Sequence, residues 1–98
     1  MADMDDKLLQ EIKVGLGISS NDEQINATIR QKIEAVKSYL KGGGVSEKMM
    51  MDAAAVSTIV IGVNDLWDQE AGEVKFSPVF NLLVGQLKAR SMEVSGNG

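Results

Sequence analysis

Between Val56 and Val63 the chain runs Val-Ser-Thr-Ile-Val-Ile-Gly-Val, and whether this β-branched stretch is a strand or a helix decides the fold class. Strict alternation fails at the consecutive Ile59, Val60 and Ile61. Met49, Ala53, Val56, Val60, Val63 and Trp67 instead recur at intervals of four, three, four, three and four, the period of a helical face. The spacing therefore predicts a helix. Ile59, Ile61 and Leu66 lie off that stripe, so the helix is apolar round much of its circumference and belongs at the centre of a bundle or against a neighbour. Gly62 weakens it by about 1 kcal/mol relative to Ala, which close approach of another backbone would explain.

The remaining elements also read as helices. Leu8, Leu9, Ile12 and Leu16 share a face of a first helix over about 3–16, closed by Gly15 and Gly17. A second, over about 22–41, opens on Asn21 or Asp22 as cap and carries Ile25, Ile29, Ile33, Val36 and Leu40 on one side. Gly42-Gly43-Gly44 ends it, with Gly42 in the left-handed conformation, and Ser46 caps a third helix over about 46–69. Gln69 to Phe76 forms a loop around Gly72 that staples two helices, with Val74 and Phe76 on one side. Ser77 as cap and Pro78 at the first helical position begin a fourth over about 77–91, whose core side is Phe80, Leu83, Val84 and Leu87. Val79 and Leu82 face elsewhere. The expectation is a single all-α domain over 1–92, a bundle of about four helices, followed by a flexible tail at 93–98.

Composition removes several functions. With 98 residues, no Cys and no His, the chain has no disulfide, no Cys/His zinc pattern and no thiol or imidazole nucleophile. Ten basic and 14 acidic residues give a net charge of −4, with the bases scattered, which argues against tight wrapping of nucleic acid. No apolar run is long enough to span a membrane, and the amino terminus Met-Ala-Asp-Met-Asp-Asp is acidic where a secretory signal is basic; an intracellular protein is expected.

The motifs that could carry chemistry have plainer readings. Gly42-Gly43-Gly44-Val45-Ser46 lacks the Lys that a Walker loop places before its Ser, and reads as an interhelical turn. Asp68, Glu70 and Glu73 surround Gly72 as in a calcium loop, but the glycine falls one place early and Val79 stands where the closing glutamate belongs. Asp5-Asp6, Asp22-Glu23 and Asp65/Asp68 lie near helix starts or in loops, where acids complement the dipole or are solvated. A helix-turn-helix reader needs basic and amide side chains on its second helix; the third helix here offers Lys48 and then Met, Ala, Val and Ile. Met49-Met50-Met51 is adaptable packing material, and at least one of the three must face away from any single core.

Thr58 to Ser91 holds an apolar helix ending Asn64-Asp65-Leu66-Trp67, an acidic turn at Gly72, and Lys75-Phe76-Ser77-Pro78-Val79-Phe80 leading into Leu82-Leu83-Val84-Gly85-Gln86-Leu87. In these features the chain resembles the phage head-tail connector family, small helical adaptors of tailed-phage necks. The likeness extends in a looser form over the short first helix and the long second one ending Tyr39-Leu40-Lys41-Gly42. The resemblance implies a structural protein of the phage or prophage virion neck, made in the host bacterial cytoplasm. Such a protein forms a ring with copies of itself beneath the portal protein and above a tail-side stopper protein, and extends the DNA channel without reading sequence. It implies no enzymatic activity, cofactor or metal. Expected contact residues are Met50, Met51, Gln69, Glu70, Glu73, Lys75, Val79, Leu82 and Gln86. A rival reading is a small adaptor or regulatory module that takes a partner helix on its Met-rich third helix.

Overall fold

The computed structural model describes residues 4–19, 22–67, 69 and 75–96. Four helices make the fold among the described residues: α1 Met4–Leu16, α2 Glu23–Gly42, α3 Ala53–Trp67 and α4 Pro78–Gly96, with a 3-10 turn at Met49–Met51. No strand occurs among the described residues, and none of their helices is long and apolar enough to cross a membrane.

One device closes both α1 and α2. Gly17 takes φ 73°, so that its N–H reaches the Val14 carbonyl at 3.2 Å and the Ile18 N–H reaches the Lys13 carbonyl at 2.9 Å. At the end of α2 the left-handed residue is Gly44, φ 101°, rather than Gly42, which is still helical. The Gly44 N–H donates to the Lys41 carbonyl at 3.1 Å and the Val45 N–H to the Leu40 carbonyl at 3.0 Å. Closing here sets Val45 against Leu40, both buried, whereas closing at Gly42 would put side-chain-free Gly43 in that place. At the other end of α2 Asp22 is the cap, its Oδ1 accepting the Gln24 N–H at 2.7 Å; Asn21 lies outside the described residues.

The single third helix expected over 46–69 is divided. Ser46 Oγ accepts the Met49 N–H at 3.1 Å, but caps only the 3-10 turn. Asp52 then turns extended, φ −77° and ψ 150°, and its Oδ1 accepts the Ala54 N–H at 2.9 Å to open α3. With Met49 and Met50 buried in the 3-10 turn, Asp52 takes an extended backbone that no helix can run through, and its side chain offers the backbone a cap in place of a helical bond, so the helix begins after it.

The β-branched run is helical, as its spacing predicted, but the buried face is rotated from the expected stripe. Val56, Ile59, Val63 and Leu66, with Ala55, Thr58 and Gly62, are inside, while Val60 and Trp67 are half-buried. Thr58 is satisfied by donating to the Ala54 carbonyl at 2.8 Å. The reason is position: α3 packs on α1, α2 and α4 at once and uses most of its circumference. Gly62 answers to a ring and not to a backbone. A Cβ there would stand 2.5 Å from Phe80 Cε1 and 3.0 Å from Val36 Cγ1.

Around α3 the core takes Leu8 and Ile12 from α1, Ile29, Ile33, Val36 and Leu40 of the predicted α2 stripe, whose Ile25 is only half-buried, and Phe80 and Leu87 from α4. Lys32 Nζ donates to the Leu66 carbonyl at 3.3 Å, placing a cation at the negative end of α3. The assembled Cα trace measures 44 × 34 × 18 Å. Helix α4 continues past the expected end at 91, because neither Gly nor Pro interrupts Ser91 to Ser95. Backbone helix thus covers 93–96 of the segment expected as a tail, and Asn97 and Gly98 lie outside the described residues.

Candidate interaction surface

The junction between α3 and α4 is built by side chains. Asp65, two residues from the end of α3, accepts on one carboxylate oxygen both the Ser77 N–H at 3.0 Å and the Ser77 hydroxyl at 2.8 Å. That leaves Ser77 Oγ to accept the Phe80 N–H at 3.2 Å and cap α4, with Pro78 at the first helical position as expected. Gln69 spans the same gap: its Nε2 donates to the Asp65 carbonyl at 2.6 Å and to the Lys75 carbonyl, while its Oε1 accepts the Lys75 N–H at 2.8 Å. Phe76 stacks on Phe80 with centroids 4.1 Å apart and meets Tyr39 of α2 at 4.8 Å, so its ring ties α4 to α2 rather than to the α3 that the loop follows. Val74 lies outside the described residues.

The expected contact residues separate into three groups. Val79 is 57 % exposed, Leu82 63 % and Met51 70 %; Gln86 and Lys75 also face outward. Met50, 8 % exposed, belongs to the core, and Gln69 is committed to the loop clamp. Glu70 and Glu73 lie outside the described residues, as does Asp68 of the calcium-like spacing. Two large apolar residues on the surface carry no expectation from the sequence: Val14, 80 % exposed on α1, and Met92, 64 % exposed on α4. The signal for Met92 was its distance of ten residues from Leu82, which returns to one face only if the helix continues beyond 91.

The acids of the sequence have structural work. Asp22 and Asp52 cap helices, Asp65 holds Ser77, and Asp6 Oδ1 lies 3.2 Å from Arg30. Lys41 and Glu47 pair at 2.7 Å across the glycine turn. Their hydrogen bond and mutual attraction hold the Glu47 carboxyl below its ordinary value and the Lys41 ammonium above its own. Among the described residues no three His, Cys, Asp or Glu side chains converge as a metal would require. The outward side of α2 has a shallow hollow between Glu23, Asn26, Arg30 and Glu34. The Asn26 amide oxygen is itself buried and accepts no hydrogen bond from the described residues.

The surface that stands out is therefore the apolar outer side of α4. No family model matches the sequence, no curated protein matches it, and no solved structure matches the fold.

Proposed function

We propose that this chain is a structural head-tail connector of a tailed phage or prophage. It assembles as a ring beneath the portal protein and passes DNA on toward a tail-side stopper. One observation supports this most: α4 seats the core through one side and leaves Val79 and Leu82 on the surface of the other, so the chain has apolar area to spend on neighbours. Residues that carry the family likeness also join α3 to α4, Asp65 with Ser77 and Ser77 with Phe80, and they fix how that side is presented. The excess of acids suits a channel wall along which DNA slides. No catalytic or cofactor role is part of this reading.

Mixing the protein with portal rings and imaging by electron microscopy tests it. Decorated portals are expected from the native chain, and bare ones from Leu82→Asp. Bare portals with the native chain sink the reading. The adaptor alternative loses its main surface, because Met49 and Met50 are buried and only Met51 of the three is offered. A compact one-to-one complex pulled from phage-infected cells would favour that alternative.

A further inference from the structure

Helix α4 carries an outer stripe that its own fold does not use. Phe80, Leu87 and Ser91 turn inward and are buried. Opposite them lie Leu82, Gly85, Ala89 and Met92, all exposed and separated by three, four and three residues, the repeat that holds side chains on one helical face. A Cβ added at Gly85 would meet nothing within 4 Å, so no neighbour in this fold requires glycine there, although glycine weakens a helix interior.

The stripe reads the same in both directions. Leu82 and Met92 stand five residues either side of Leu87, and Gly85 and Ala89 two residues either side. A two-fold contact between identical chains demands this property, since residue i of one copy must meet residue j of the other while j meets i. Two α4 helices laid antiparallel about Leu87 put each Leu82 on Met92 of the second copy. Each Gly85 then lies by Ala89 of that copy, where small residues let the axes approach.

We infer that a second copy of this chain covers the outer side of α4, in an antiparallel two-fold pair centred at Leu87. Charge permits the contact: no acid occurs between Pro78 and Met92, Arg90 is held 3.5 Å from Asp52, and Lys88 lays its stem along the turn at Gly44. Area sets its strength. From Leu82 to Met92 the seam is about 15 Å long, and it covers on the order of 400 Å² per copy, about half of the ~800 Å² per partner in a lasting dimer. The pair is weak and reversible, and a partner with a larger surface displaces it. The inference stands without the connector reading, which needs an unlike-faced contact that closes a ring.

Sedimentation equilibrium of the full chain tests it between about 10 µM and 1 mM, the range a seam of half the standard size calls for. The mass is expected to rise from 10.5 kDa toward twice that value and stop there. Leu82→Glu and Met92→Lys, each with an unchanged circular-dichroism spectrum, should weaken association at least tenfold. Combining them should recover it, because only the antiparallel register sets the new carboxylate of one copy beside the new ammonium of the other, twice per pair. A mass of 10.5 kDa at every concentration overturns the inference. So does growth beyond two copies, or a double variant no better than the singles.

Discussion

Helices α3 and α4 are both rich in aliphatic residues, yet one buries residues on nearly every side and the other on one side only. Helix α3 lies among three helices; α4 lies at the edge, against α3 and the 3-10 turn. An apolar side chain becomes core only where the topology supplies a neighbour, so aliphatic residues build a hub in one place and a surface in the other.

The contrast breaks most severely at the contact between the two. Phe80→Ala empties a fully buried ring site, and a loss of about 3–5 kcal/mol is expected in urea unfolding. Gly62→Ala attacks the same contact from α3 by driving a methyl group into that ring, with about 1–3 kcal/mol lost. If Gly62→Ala proves neutral, the ring is not seated as described. Next comes the junction. Ser77→Ala and Asp65→Ala should each cost about 1 kcal/mol. The double variant should cost less than their sum by about 0.5 kcal/mol or more, since the two side chains share one cap. Leu82→Ser on the outer side should change unfolding by less than about 0.5 kcal/mol. A clear loss there would mean that the monomer itself uses this side.

The smallest effect belongs to the exposed Lys41–Glu47 pair. Because the Glu47 carboxyl is held below its ordinary value of 4.5, its contribution is present above that pH and fades as pH falls through the lowered value. The Lys41 share is present below 10.5 and fades as pH rises through its raised value. Both groups are fully exposed, so Glu47→Gln should leave the melting midpoint at pH 7 within experimental scatter.

Periodicity made the elements legible, and did so best where one face alone was apolar. The Ile29-Ile33-Val36-Leu40 stripe of α2 was readable because its other side is polar. Ile59 was not, because a helix packed on three others keeps only a narrow polar side, Ser57 and Asn64, to contrast with. Ser46 and Asp52 are both competent caps, and which of them starts the helix depends on tertiary packing of Met49 and Met50 that no local pattern encodes. Lys13 looked like one more scattered surface charge and is buried in the last turn of α1. On the exposed side of α4, Val79 and Leu82 were legible as residues left over from its core face. Gln69 was not, because a loop amide that closes its own loop looks in sequence like any exposed glutamine.

The bond from Ser77 to Asp65 also has a consequence for the order in which the chain takes shape. The first turn of α4 depends on an acceptor twelve residues upstream, displayed only once the end of α3 is wound. On a ribosome Asp65 emerges before Ser77, so the template is finished before the segment that copies its direction arrives. A circular permutant opened between the two helices, and so translated with α4 first, would have to nucleate that helix with no template in place. It should reach the same structure more slowly.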